Sequence, residues 1–404
     1  VPTSAITVSY FGVHQAFQLA LAAQELGLLD VFFCSLYDAP GKWGGVLSKL
    51  MGGERLVNRR CAGFDATAAV EIPGPLLCEK LRLLGQRQNG ASLWPQSALT
   101  FDRAVARRLD RCASRLFVGV ETCAAHSFAR AKALGRTTVL DYPGIGAEFL
   151  DEMARQAADD LGLPPPPPSD SPAMRARKQR ELELADHILV CSEFQRRLLL
   201  ERGVPAERLS VVPLWADPSL WYPPPQGSPR NGGPLRVLFA GSITLRKGVP
   251  YLLRAVERCG TNCRLTLAGA PDPHLKPALL ACTGPVRLLP PQTKSALRDL
   301  YWQHDVLVLP SLGDSFGFVA MEAMACGLPV IVTENCGVPV PDPAWRLPVM
   351  DSEAIARRLQ FYADDRAALE RDGQLAQQFA GQYTPERYRA QIKGLFRRML
   401  GETS

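Results

Sequence analysis

The sequence predicts two α/β domains, each built on a parallel sheet, facing each other across a cleft. Two observations carry this. Short β-branched runs alternate with amphipathic helical stretches along all 404 residues, which is the rhythm of strand–helix–strand units. That rhythm is interrupted by Tyr222-Pro-Pro-Pro-Gln-Gly-Ser-Pro-Arg-Asn-Gly-Gly-Pro234 and then restarts. The chain is also too long for one ordinary core and fits two domains of common size.

In the first half, strands are expected at Ile6–Tyr10, Val31–Ser35, Leu116–Val120, Thr138–Leu140, Ile188–Cys191 and Leu209–Val212. Helical stretches fall near His14–Leu26, Asp102–Arg115, Glu121–Leu134 and Glu193–Arg202. The run Leu163-Pro-Pro-Pro-Pro-Pro-Ser-Asp-Ser-Pro cannot be helix or inner strand, because proline lacks the N–H, so it reads as a surface connection. After the linker, strands are expected at Arg236–Ala240, Arg264–Ala268, Val286–Leu289, Asp305–Leu309 and Pro329–Thr333. A last helix covers about Pro385–Leu400, with Thr384 as its cap and Pro385 in its first position. The expected division is 1–222, a linker at 223–234, and 235–384, with 385–404 returning to the first domain. Open parallel sheets bind ligands at the carboxyl ends of their strands, so the chemistry is sought there.

Hydrophobic residues at 47% and charged residues at 21% are the balance of a soluble globular protein. No apolar run is long enough to span a bilayer, and the opening Val1-Pro-Thr-Ser-Ala-Ile-Thr-Val-Ser-Tyr lacks the basic-then-apolar signal pattern. Eleven dispersed cysteines without zinc-type pairing suit reduced thiols and a cytoplasmic setting. The net charge of +6 is uneven: from Lys42 to Arg136 there are 16 Lys and Arg against 7 Asp and Glu. Solvated helix faces account for most of such an excess. A peripheral contact with anionic lipid at the inner face of a membrane, or an anionic acceptor, is the functional reading. Nucleic acid is not expected, because no binding motif accompanies the charge.

Two stretches carry chemistry. The second domain opens with Val237-Leu-Phe-Ala-Gly-Ser-Ile-Thr-Leu-Arg-Lys-Gly248, a buried strand and a loop beginning at Gly241-Ser242. Arg246 and Lys247 end that loop as a helix begins. A helix N-terminus offers unpaired N–H groups and partial positive charge. A guanidinium and an ammonium added there suit a diphosphate. Two solvated surface cations are the plainer alternative.

Downstream, Leu307-Val-Leu-Pro-Ser-Leu-Gly-Asp-Ser-Phe-Gly-Phe-Val-Ala-Met-Glu322 ends a strand, passes through a loop holding Asp314, Phe316 and Gly317, and enters a short helix. Glu322, early in that helix, is placed to accept a pair of hydroxyls, and Asp314 can accept others. Gly317 permits close backbone approach. Glu322 acting only on the helix dipole would leave the acid–Phe–Gly–acid spacing unexplained.

Together these stretches resemble the GT4-like retaining glycosyltransferases (glycosyl transferases group 1), whose pattern is a Gly-Ser…Arg-Lys-Gly loop followed by Glu-x7-Glu. Here the second motif is Asp314-x7-Glu322, one methylene shorter at its first acid, which bears on reach to the sugar and on donor choice. The resemblance runs from about residue 185, with Ala185-Asp-His-Ile-Leu-Val-Cys-Ser-Glu-Phe194 and Arg208-Leu-Ser-Val-Val-Pro213, to about 335. It implies the GT-B fold, a metal-independent hexosyltransferase acting with retention, and a UDP- or GDP-sugar as co-substrate, UDP being the commoner. No other cofactor and no metal site are implied. The diphosphate ligands would be Arg246 and Lys247, with Gly241 and Ser242 in the loop before them. Glu322 would hold the ribose, and Asp314 the sugar, with backbone contacts from Phe316, Gly317, Phe318 and Val319.

The acceptor, a glycan, lipid-linked or small molecule used in polysaccharide biosynthesis, would meet the first domain. Gly12 and His14 follow its first strand. His126, Glu121 and the loop Asp141-Tyr-Pro-Gly-Ile-Gly146 are the candidates near its central strands. A dinucleotide-binding dehydrogenase would need Gly-x-Gly-x-x-Gly after a strand, and a GT-A transferase Asp-x-Asp; the chain has neither. A GT-B sugar-nucleotide epimerase, or a non-catalytic or regulatory nucleotide-sugar-binding protein, are the alternatives carried forward.

Overall fold

The computed structural model describes residues 5–13, 15–51, 59–78, 94–225 and 232–401. His14, parts of the basic stretch and the middle of the linker lie outside the described residues.

Two all-parallel sheets organise the chain. The first holds β1 (Ile6–Tyr10), β2 (Leu29–Cys34), β3 (Ala69–Glu71), β4 (Leu116–Val120), β5 (Thr137–Asp141), β6 (His187–Val190) and β7 (Leu209–Val211), in the order β3-β2-β1-β4-β5-β6-β7. The second holds β8 (Leu235–Ala240), β9 (Cys263–Ala268), β10 (Val286–Leu289), β11 (Val306–Leu309), β12 (Val330–Thr333) and β13 (Arg346–Leu347), in the order β10-β9-β8-β11-β12-β13. Strands covered on both faces read as continuous apolar runs. Accordingly, every residue of β4, β11 and β12 is buried.

Helices of the first half are α1 (Ala16–Glu25), α2 (Trp43–Met51), α3 (Trp94–Ala106), α4 (Ala125–Ala133), α5 (Ala147–Leu161), α6 (Pro172–Leu184) and α7 (Glu193–Glu201). Those of the second are α8 (Val249–Cys259), α9 (Lys276–Ala281), α10 (Lys294–Gln303), α11 (Phe318–Ala325), α12 (Ser352–Asp364) and α13 (Arg366–Ala380). The last, α14 (Pro385–Leu400), is capped by Thr384, whose hydroxyl accepts from Arg387 N–H at 3.2 Å. It packs on α1, where Arg389 and Lys393 each reach Glu25 at 2.8 Å. Among the described residues no helix is long and apolar enough to cross a membrane.

Three details differ from expectation. The short edge strands β3 and β13 were not foreseen, since two or three residues carry no readable period. The helix expected near Asp102–Arg115 instead runs Trp94–Ala106, with a separate short turn at Leu109–Arg111. Asp102 lies mid-helix and fully buried, where its carboxylate caps a different helix, accepting from His126 N–H (2.7 Å) and Ser127 N–H (2.9 Å) at the head of α4. Finally, α4 begins at Ala125, so Glu121 lies in the turn after β4 and does not start a helix.

The strand orders fix where ligands can enter. Each sheet reverses direction of winding once, between β1 and β4 and between β8 and β11. Loops leaving such neighbouring strands diverge to opposite faces and open a crevice at the carboxyl ends. Gly12 and Glu121 lie at the first of these points, the Gly241–Lys247 loop and Asp314 at the second.

Candidate active site

At the second crevice the loop after β8 ends in a turn whose last residue, Gly248, caps α8 with φ +68°. A side chain there would overlap the carbonyl oxygen of Pro310 at the end of β11. This close approach of backbones brings the basic loop onto the acidic one. Leu312 N–H donates to Arg246 O at 2.9 Å, and Arg246 Nη1 donates to Gly313 O at 3.3 Å. Lys247 Nζ forms an ion pair with Asp314 Oδ2, both side chains largely buried. Arg246 and Ser242 are exposed.

Asp314 is held from three sides. Its Oδ1 accepts the N–H of Gly317 at 3.0 Å, its own N–H donates to Asn335 O, and its carbonyl accepts from Gly337 N–H. Gly317 is left-handed (φ +79°) and heads α11, and a Cβ there would come within 2.7 Å of Cys336 Sγ. Phe316 is buried against Phe318, which is itself exposed, and Val319 is half-buried. Glu322, half-buried on α11, accepts the Tyr301 hydroxyl on Oε2 at 3.1 Å. Burial pushes its carboxyl up to about 7, while the Tyr301 hydrogen bond and Lys294 pull it down.

The two halves meet at this loop. Ser192 Oγ, following β6, donates to Ser315 O at 2.6 Å, and a Cβ on Gly313 would lie within 2.9–3.6 Å of Leu150, Phe149 and Ile145. A cavity of about 770 Å³ opens beside the contact, lined by Ser192, Arg197, Glu334, Gly337, Arg346 and Tyr383 among others. It is separate from Lys247 and Glu322.

At the first crevice, buried acids dominate. Asp141 ends β5 and accepts from Gln15 Nε2 at 3.0 Å on Oδ1, while Oδ2 meets no donor among the described residues. Burial pushes it up to about 7; the Gln15 bond lowers it and Glu121 raises it. Glu121 is also raised to about 7 by burial, against Lys178, 3.6 Å away. Thr122 is left-handed (φ +79°), a conformation that a β-branched residue holds only when its surroundings enforce it. Glu181 enforces it: the carboxylate accepts from Thr122 N–H at 2.7 Å and Ala124 N–H at 2.8 Å. His126 is exposed in the first turn of α4, where it accepts from Arg103 Nε at 3.3 Å. No described hydrogen bond or ion pair joins it to Glu121 or to the opposite loops. Gly12 lies in the bend after β1.

The structure thus brings together Arg246, Lys247, Asp314, Phe316, Gly317 and Phe318, with Glu322 further along the helix that Phe318 begins, and leaves His126 apart. Sequence reading missed Tyr301, Asn335, Lys178 and Glu181. Each reaches its partner from a distant element and carries no local motif.

Two family models match side by side: a glycosyl transferase 4-like domain over residues 73–215, and glycosyl transferases group 1 over 234–365. The chain belongs to the GT4-like glycosyltransferases. Among relatives of this family, the D-inositol 3-phosphate glycosyltransferase of Mycobacteroides abscessus is 32% identical over 186 residues, 42% of this chain and 42% of its own. That of Mycolicibacterium smegmatis is 31% identical over 202 residues, 46% and 45%. The matches therefore span less than half the length of these relatives. The fold is GT-B. Sucrose-phosphate synthase from Thermosynechococcus elongatus superposes over 98% of this chain and 99% of its own with TM-score 0.67 at 18% identity. Anabaena HepE in complex with UDP and glucose does so over 97% and 99% with TM-score 0.61 at 14% identity.

Proposed function

We propose that this protein transfers a hexose from a nucleoside-diphosphate sugar, UDP-linked in preference to GDP-linked, to a hydroxyl of a glycan, lipid-linked or small-molecule acceptor. The single observation that carries the reading is the locked pair of loops. Lys247 and Arg246 meet Asp314 and Gly313 directly, at the point where the second sheet opens. Cations there stabilise a leaving diphosphate, and acids beside them accept sugar and ribose hydroxyls. The UDP complex of HepE, which shares the fold, favours a UDP donor.

In the proposed reaction the bond from the anomeric carbon to the diphosphate oxygen breaks, and the diphosphate leaves with the electron pair. The acceptor oxygen bonds to the anomeric carbon on the same face, retaining configuration, and its proton passes to the departing phosphate oxygen. Neither a metal nor a side-chain base is required by this scheme. Preorganised cations act most strongly as charge develops on the leaving group. The acceptor is proposed to approach the first crevice over Glu121 and Asp141. Contact with anionic lipid at the inner face of a membrane is proposed through the basic first half, where Trp43 is exposed at the start of α2 and Lys49 lies in its last turn. Loss of vesicle binding on raising salt would be its signature.

The test is a thermal-shift screen with UDP, GDP, ADP and their common sugar conjugates, without added metal. A ligand at 100 times its dissociation constant adds about 2.7 kcal/mol of stability. A shift with one nucleotide identifies the donor base, and sugar transfer is then assayed with that donor. A flat response to every nucleotide sinks the proposal.

A further inference from the structure

We propose that Tyr301 is a positioning residue of the donor site, fixing which oxygen of Glu322 is presented to the nucleotide. The inference deepens the donor reading above and rests on it. Tyr301 projects from α10, almost fully buried, with its hydroxyl 3.1 Å from Glu322 Oε2. No described residue bonds Oε1, so that oxygen is the one left for a ligand.

What holds Tyr301 is the segment that crosses from the first sheet to the second. Its ring packs on Trp221 at 5.6 Å. On the next residue, Trp302 donates its indole N–H to Tyr222 O at 2.8 Å. One turn earlier, Arg298 lies over the rings of both Tyr222 (4.8 Å) and Trp302 (4.7 Å) and donates to the Tyr222 hydroxyl at 2.9 Å. Thus α10 is clamped to Trp221 and Tyr222 over a full turn, and the phenol cannot swing away from Glu322. A free glutamate rotates about its last torsion with little preference. A vicinal diol that donates to a carboxylate needs that plane fixed beforehand, so the ordering is already present before the ligand arrives.

Glu322 is faced by Tyr301 and Lys294 from α10 and by Cys326, which follows the last residue of α11. The hydroxyl stabilises the ionised carboxylate, which is the form that accepts two hydroxyls. Its removal therefore raises the pH at which Glu322 becomes competent.

The experiment measures UDP binding by calorimetry from pH 6 to 9 for the unaltered chain, Tyr301→Phe, Glu322→Gln and the double variant. Tyr301→Phe keeps the ring on Trp221, so the fold is retained. It is expected to weaken UDP by about tenfold near neutral pH, the loss of one hydrogen bond to a charged group, and to move the binding midpoint to higher pH. Added to Glu322→Gln, it should cost nothing more, as for residues acting through one contact. An equal loss in both backgrounds, or an unmoved midpoint, overturns this inference alone. Absence of UDP and GDP binding by the unaltered chain overturns the donor-site reading and this inference with it.

Discussion

At the ends of β8 and β11, the groups that matter come from the two loops themselves. Arg246 and Lys247 meet Gly313 and Asp314 directly, and Gly248 and Gly317 permit the close backbone approach that this contact needs. At the ends of β4 and β5 the assembly is different. Thr122 is held by Glu181, 59 residues away, Asp141 by Gln15, 126 away, and the loop carbonyls of Tyr142 and Gly144 by Gln195, 53 and 51 away. In the proposed reading, a diphosphate has a fixed shape and charge, so two loops locked together suffice to receive it. The first crevice is built from interior carboxyls whose placement depends on the whole half-molecule. Its buried polar contacts reach the loops after β8 and β11 through packing such as that of Ile145, Phe149 and Leu150 on Gly313, and through the Ser192 hydrogen bond to Ser315.

The comparison is sharpened most strongly by Lys247→Ala. Turnover should fall by roughly 10²–10³-fold, the scale of one preorganised charge-stabilising donor, with the melting temperature little changed. Near-normal kcat would break the assignment of this loop. Next comes Glu181→Ala, which strips two buried N–H groups of their acceptor at about 1–3 kcal/mol each. Urea unfolding should show that loss, while UDP binding at the far crevice persists. A selective loss of UDP binding would contradict the independence of the two regions.

Gly248→Ala probes the opposite side. The left-handed conformation alone costs roughly 1–3 kcal/mol, and overlap with Pro310 adds to it. Nucleotide binding should fall along with stability, because the basic and acidic loops separate. A variant that is destabilised yet binds UDP normally would show that the contact is not needed for the site.

The smallest effect is a slope. Asp141 has a folded value of about 7 against 3.8, so the fold holds its proton more tightly than the open chain does. Through this group, stability is greatest below pH 4 and declines as pH rises from about 4 to 7. Asp141→Asn keeps an acceptor for Gln15 and does not titrate. Its stability relative to the unaltered chain should therefore rise between pH 5 and pH 8 in paired melts. A gap that stays constant with pH would show that Asp141 ionises normally.

Much of this was legible beforehand. The strands Ile6–Tyr10, Leu116–Val120 and Val286–Leu289 are found where their apolar runs stand. The strand expected at Arg236–Ala240, where the strand–helix rhythm restarts, is found at Leu235–Ala240 in the second sheet. Arg246, Lys247, Asp314 and Gly317 were readable because the spacing of a strand, a turn and a helix start is local. The helix misplaced at Asp102–Arg115 shows the limit. A buried aspartate in a helix interior is unintelligible until the helix it caps is known.

By itself, then, the sequence determined the two parallel α/β sheets, the family and the pair of loops in the second half. Each of these is written in short-range periodicity and backbone conformation. Only the tertiary structure decided that Lys247 pairs with Asp314, that Tyr301 holds Glu322, and that Glu121 and Asp141 sit buried at the same sheet end while His126 stands apart. Those pairings depend on how distant elements pack, and on the burial that raises the carboxyls, neither of which leaves a mark at fixed spacing along the chain.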